Sequence, residues 1–146
     1  EKEFRILLNL SAVPVDGAEE ILTYLKEKDY CLCAASNGPY GQQINRLKKV
    51  DMLKYFAHCF VSEKVGADKP GKAFFDGCMK ELPGVCPEEC MMIGDSLTAD
   101  ITGGRAYGMS TCWYVPSVEK YREEKSKSGK PADHIIHDLL ELKKIL

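Results

Sequence analysis

The chain has 146 residues, a net charge of -2 and 45% apolar residues, which fits one globular domain of ordinary size. Nothing in this balance suggests a nucleic-acid or membrane surface, and no apolar run reaches the length of about 18 residues that a membrane span needs. Seven cysteines form an odd set without a small secreted framework, so we expect reduced thiols in a cytoplasmic protein.

Apolar runs of strand length alternate with amphipathic stretches of helix length along the chain. A helix over 15–28, with Asp16 as its cap, leads into a buried strand over 30–35. The pattern recurs as helix 41–49 and strand 58–61, helix 71–82 and strand 91–93, then helix 98–107 and strand 110–115. Residues 118–132 read as a solvated loop or helix edge, and 134–146 as a short strand and a closing helix. Helices between strands imply parallel crossovers, so we predict a layered α/β fold.

Polar residues follow three of these strands directly or after a short loop. In open parallel sheets, ligands bind outside the carboxyl ends of the strands, so such residues are candidates for a site. They are Ser36, Asn37 and Gly38 after the first strand, Lys69 after the second, and Asp95 after the third, with Asp100 further on.

These residue types suit a phosphoryl group. A hydroxyl and the N–H groups of a turn hold phosphate oxygens, a lysine offsets their charge, and carboxylates bind Mg²⁺. Each residue alone is equally well explained as a turn, a helix cap or a solvated lysine. The ordered set after three successive strands favours a phosphoryl site over those structural explanations.

Other motifs are weaker. Residues 66–73 nearly match the phosphate-binding loop of nucleoside triphosphatases, but Ala73 lacks the required hydroxyl and Pro70 removes an N–H donor. No cysteine pair has a second pair at zinc-finger spacing, so buried thiols are favoured over a zinc site. His134 and His137 are assigned an ordinary surface role.

The motifs together resemble those of the haloacid dehalogenase-like hydrolases. Ser36-Asn37-Gly38, Lys69-Pro70 and the stretch 94–101 (GDSLTADI) are similar in order and spacing to the second, third and fourth motifs of that superfamily. Further stretches at 55–56, 61–66, 103–104 and 111–114 resemble the bacterial pyrimidine 5'-nucleotidase group. The resemblance implies a three-layer, Rossmann-like core with a parallel sheet.

The resemblance also implies a role for each site residue. Asp95 would ligate Mg²⁺, and Asp100 would support the site near the metal and Lys69. The Ser36 hydroxyl and the backbone amides of Asn37 and Gly38 would hold the phosphoryl group, and Lys69 would stabilise its negative charge.

The first motif of the superfamily, two aspartates separated by one residue, is absent from the chain. We therefore expect this chain to be the core portion of a longer protein, with residues 1–12 ending a helical cap and 13–146 forming the core domain. The strand that carries the nucleophile, expected between those ending near Ala35 and Ile93, and most of the cap would be missing. An upstream segment of the same protein would complete the sheet.

The expected activity is hydrolysis of a small phosphomonoester with Mg²⁺ through an aspartyl-phosphate, with nucleoside 5'-monophosphates as first candidates. The fragment alone would be inactive. Sugar phosphates or other small phosphates are the alternative substrates. A non-catalytic phosphate- or metal-binding domain is a second alternative, and a dehalogenase, which has little use for a metal ligand, is a third. No nucleic-acid or membrane partner is expected.

Overall fold

The computed structural model describes residues 5–10, 15–128 and 131–146. Within them the strands are β1 (Arg5–Leu8), β2 (Cys31–Ser36), β3 (His58–Val61), β4 (Cys90–Gly94), β5 (Ser110–Tyr114) and β6 (His134–Ile136). The α-helices are α1 (Ala18–Glu27), α2 (Tyr40–Lys49), α3 (Ser62–Val65), α4 (Lys72–Lys80), α5 (Gly103–Tyr107) and α6 (Val118–Ser128). A π-helix, Leu97–Thr102, precedes α5, and three short 3₁₀ helices complete the structure: Leu53–Tyr55, Pro87–Glu89 and Leu139–Lys144.

The described strands form one sheet in the order β3-β2-β1-β4-β5-β6, and every neighbouring pair is parallel. Parallel pairing requires a crossover between successive strands, and such sheets are covered on both faces. In β1, Ile6 and Leu8 pack into one apolar cluster, whereas Leu7 between them packs into another. The three-layer α/β prediction is therefore confirmed.

The centre of the sheet differs from the prediction. Arg5–Leu8 fills the place that we expected to be empty, with Leu7 opposite Cys33 on one side and Met92 on the other. The apolar run from Ile6 to Leu8 suits a strand that is buried on both faces, and its pairing removes two exposed edges. The expectations of a helical cap at these residues and of a missing segment to complete the sheet are wrong for this structure. Residues 1–4, 11 and 12 lie outside the described residues.

Several predicted boundaries shift by a few residues. The cap of α1 is Gly17, with φ +84°, rather than Asp16. The region predicted as a solvated loop or helix edge contains the helix α6, most of whose described side chains are exposed. The predicted helix over 98–107 divides into the π-helix and α5.

The cysteines agree with the prediction of reduced thiols. All seven are free, and Cys33, Cys78, Cys90 and Cys112 are buried. Burial raises the pKa of the Cys78 and Cys112 thiols to about 12 and that of Cys90 to about 11. These three thiols are therefore neutral and unreactive near neutral pH. None of the described helices is both long and apolar enough to cross a membrane.

Candidate functional site

The carboxyl ends of β2, β1 and β4 lie side by side at the centre of the sheet. From β1 the chain continues outward through β2 to β3 on one side, and through β4 to β6 on the other. Ligands bind in the crevice at such a reversal of strand order. Ser36 ends β2, Asn9 follows β1 and Asp95 follows β4, so three polar residues stand at this edge.

Lys69 reaches the same edge from the loop before α4. Its side chain is 1% exposed, and its Nζ donates to the Ala35 carbonyl at 2.7 Å and to Asp100 Oδ1 at 2.5 Å. An ammonium group has three N–H donors. Among the described residues this group has two acceptors, so a third N–H is available for an anion at the strand ends.

Asp100 anchors this lysine. Its side chain is fully buried, and its second oxygen accepts from Asn9 Nδ2 at 2.7 Å and from the Ser96 N–H at 3.2 Å. Gly94 is required nearby, because a Cβ at that position would overlap the Asp100 carboxylate. Both oxygens of Asp100 are engaged, so this residue supports Lys69 and is poorly placed to bind a substrate directly.

The loop after β2 is tied to Lys69 by the side chain of Asn37. Asn37 Oδ1 accepts a hydrogen bond from the backbone N–H of Lys69 at 2.8 Å, and Asn37 Nδ2 donates to the backbone carbonyl of Lys69 at 3.1 Å. The Gly38 N–H, in contrast, donates to Ser62 Oγ at 2.8 Å. A phosphate could use the predicted Gly38 amide only if that bond broke.

Asp95 lies between β4 and the π-helix. Its carbonyl accepts a hydrogen bond from Trp113 Nε1 at 3.1 Å, and Trp113 is fully buried on β5. The next residue, Ser96, accepts from the Ala99 N–H at 3.0 Å and so caps the π-helix. The backbone of Asp95 is therefore held on both sides, and its side chain is half-buried, within reach of solvent ions.

The described residues offer few ligands for a metal. Across the described ranges no group of three or more His, Cys, Asp or Glu side chains could hold a metal ion. Mg²⁺ needs fewer, because it keeps several of its waters and is often bound by one or two carboxylates plus substrate phosphate. Asp95 thus has the right chemistry to be one carboxylate ligand of Mg²⁺. The buried Asp100 already accepts hydrogen bonds from three donors.

The predicted site residues form one connected network. Ser36 and Asn37 are adjacent, Asn37 binds Lys69, Lys69 binds Asp100, and Asp100 binds the residue after Asp95. The lysine of the rejected phosphate-binding loop, Lys72, is exposed and pairs instead with Asp76 at 3.1 Å.

The prediction missed four residues of this network: Asn9, Ser62, Glu63 and Trp113. Ser62 and Glu63 directly follow β3, so the strand-end rule could have found them. Asn9 carried no signal, because its segment was assigned to a cap. The bond from Trp113 depends on the pairing of β5 with β4, which the sequence does not show.

Comparison with known proteins places this geometry in a family. The family model described as haloacid dehalogenase-like hydrolase matches residues 1–108. Pyrimidine 5'-nucleotidase PynA of Streptococcus pneumoniae is 37% identical over 79% of this chain and 48% of its own length. Glyceraldehyde 3-phosphate phosphatase of Pyrococcus furiosus is 31% identical over 90% of this chain and 54% of its own length.

The solved structures agree. The crystal structure of the HAD-hydrolase YfnB of Bacillus subtilis bound to magnesium has a TM-score of 0.79 and 34% identity, over 90% of this chain and 55% of that one. The chain thus spans about half the length of the relatives that it matches.

Proposed function

Because this chain belongs to the haloacid dehalogenase-like hydrolase family, we propose that it is the phosphate-binding core of a Mg²⁺-dependent phosphomonoester hydrolase. The observation that carries the proposal is the buried pair of Lys69 and Asp100, which holds an ammonium beneath the carboxyl ends of the central strands. Such a cation is costly to bury and is suited to an anionic ligand at that edge.

In this proposal the residues of the chain bind and orient the phosphoryl group. The third N–H of the Lys69 ammonium and the Ser36 hydroxyl bind the phosphate oxygens. The backbone N–H of Asn37, next in the loop, is a further donor to them. Phosphoryl transfer depends mainly on positioning and electrostatic stabilisation, so donors fixed by a buried network are suited to it. Bound at Asp95, Mg²⁺ would neutralise part of the phosphate charge.

The nucleophile is proposed to lie outside the described residues. Both oxygens of Asp100 accept hydrogen bonds, and the end of the central strand carries Asn9, whose amide is a poor nucleophile. An aspartate from the remainder of the protein would attack phosphorus, expel the alcohol and form an aspartyl-phosphate, which water then hydrolyses. We therefore expect the 146-residue chain by itself to be inactive.

Two substrate classes are supported by the relatives. Pyrimidine nucleoside 5'-monophosphates come first, because PynA has the higher identity, 37% against 31%. Sugar phosphates come second, because the Pyrococcus phosphatase matches more of the chain, 90% against 79%.

The test is phosphate release by the complete protein, with and without Mg²⁺, from pyrimidine nucleoside monophosphates and glyceraldehyde 3-phosphate. Lys69→Met is expected to lower kcat/KM by about 10²–10³-fold, as for loss of one preorganised donor. Lys72→Met is the matched control, because that lysine is exposed.

Four results would contradict the proposal or part of it. Near-normal turnover of Lys69→Met would remove the lysine from the mechanism. Full activity after chelation of Mg²⁺ would show that the reaction does not need the metal. A preference for glyceraldehyde 3-phosphate would replace the first substrate class by the second. No release from either substrate class would favour a non-catalytic binding domain.

A further inference from the structure

We infer that Ser62 and Glu63, the first two residues of α3, are positioning residues that fix the phosphate loop 36–40 and keep anions away from the start of α2. The inference rests on the proposed function and adds two residues to it. Neither residue was assigned a role in the site from the sequence.

Ser62 holds the loop through Gly38. Its side chain is buried, and its Oγ accepts the Gly38 N–H at 2.8 Å. The Glu63 N–H adds a longer bond to the Gly38 carbonyl at 3.4 Å. Gly38 has φ +134°, and a Cβ there would lie 2.8 Å from Gln43 Nε2, so the turn is already confined on its other side.

Glu63 caps α2 from another element. The N-cap of α2 is Pro39, whose side chain cannot accept a hydrogen bond, and Glu63 Oε1 instead accepts the Tyr40 N–H at 2.7 Å. A helix start attracts anions through its exposed N–H groups and its dipole. Here a carboxylate already occupies that position, so a phosphate at the start of α2 would meet a like charge.

These bonds limit which groups of the loop can donate a hydrogen bond to phosphate. The N–H groups of Gly38 and Tyr40 are committed to α3, which leaves the Asn37 N–H and the Ser36 hydroxyl as donors on this side. The Ser36 hydroxyl makes a long bond of 3.4 Å to the Asn37 carbonyl, and it would exchange that bond for a phosphate oxygen. Asn37 is in turn bound to the backbone of Lys69 by two hydrogen bonds. Ser62 therefore acts on phosphate through the loop, by setting where Asn37 holds the lysine.

The experiment uses Ser62→Ala, Ser62→Thr and Glu63→Gln in the complete protein, with Ser117→Ala as the matched control, since Ser117 only caps α6. Three quantities are measured: hydrogen exchange of the Gly38 and Tyr40 amides, the inhibition constant of inorganic phosphate, and the Mg²⁺ concentration for half-maximal activity.

Ser62→Ala is expected to accelerate Gly38 exchange at least tenfold and to weaken phosphate inhibition about fivefold, roughly the effect of one lost hydrogen bond. The Mg²⁺ requirement should not change, because Asp95 is held from β5. Ser62→Thr, which keeps the hydroxyl, should restore both quantities. Glu63→Gln keeps an acceptor for Tyr40 and should preserve the slow exchange of that amide.

Unchanged phosphate inhibition in Ser62→Ala, with accelerated Gly38 exchange, would overturn the positioning role alone. An equal change in phosphate inhibition and in Mg²⁺ requirement would also overturn it, because it would indicate general damage to the fold. Absence of phosphate inhibition in the wild-type protein would instead overturn the proposed function, and this inference with it.

Discussion

Asp100→Asn tests the buried ion pair on which the site depends. The substitution preserves the shape of the side chain and removes its charge. Lys69, with a side chain 1% exposed, then keeps its hydrogen bond to the Ala35 carbonyl but has lost its charged partner. The new amide also has one oxygen where the carboxylate had two, so it cannot accept from both Lys69 and the pair of donors, Asn9 and Ser96.

The expected loss of stability is about 3–5 kcal/mol. Removing one partner of a buried ion pair costs about 3–5 kcal/mol, because the remaining charge is uncompensated.

Urea denaturation followed by circular dichroism measures this loss. Asp51→Asn is the control, because Asp51 pairs with Lys54 at the surface at 3.1 Å, and asparagine tolerates its φ of +56°. That variant should match the wild-type midpoint. The double variant Lys69→Met/Asp100→Asn should be more stable than Asp100→Asn alone, since it also removes the buried ammonium that has lost its carboxylate partner.

The reasoning would be refuted by a loss below about 1 kcal/mol in Asp100→Asn, a value typical of surface pairs. A double variant less stable than Asp100→Asn would also refute it, because Lys69 would then stabilise the fold without its partner.

Three further changes follow from the structure. Gly94→Ala should lower the free energy of unfolding, measured by urea denaturation, by about 1–3 kcal/mol, because the new Cβ overlaps Asp100. Gly41→Ala, whose Cβ would have no atom within 4 Å, should not destabilise the protein, and equal stabilities of the two variants would contradict the overlap. Mg²⁺ should alter the fluorescence of Trp113, the one tryptophan, in the wild type and not in Asp95→Asn; the same response in both would exclude Asp95 as the ligand. Raising the pH from 7.5 to 10 under reducing conditions should lower the free energy of unfolding by about 1.4 kcal/mol per buried thiol. The pKa values of these thiols in the folded state lie above the unfolded value near 9, so stability is lost as the pH rises past 9. A constant free energy of unfolding would contradict the burial of Cys78, Cys90 and Cys112.

The sequence predicted the elements that have a strong local signal. Strand β3 was predicted with its observed ends, and β2, β4 and β5 within one or two residues, because apolar runs between helical stretches define them. The rule that polar residues follow strands then selected Ser36, Lys69 and Asp95, since carboxyl ends of parallel strands share one edge.

What the sequence by itself determined was therefore the alternation of elements and the residue types at the strand ends, both of which are local along the chain. Tertiary structure decided which partners those residues have. It placed Arg5–Leu8 at the centre of the sheet, joined Asn9 to Asp100 across 91 positions, and committed the Gly38 amide to Ser62. Such choices depend on the burial of charges and on pairing between distant strands, and neither is encoded within a short stretch of sequence.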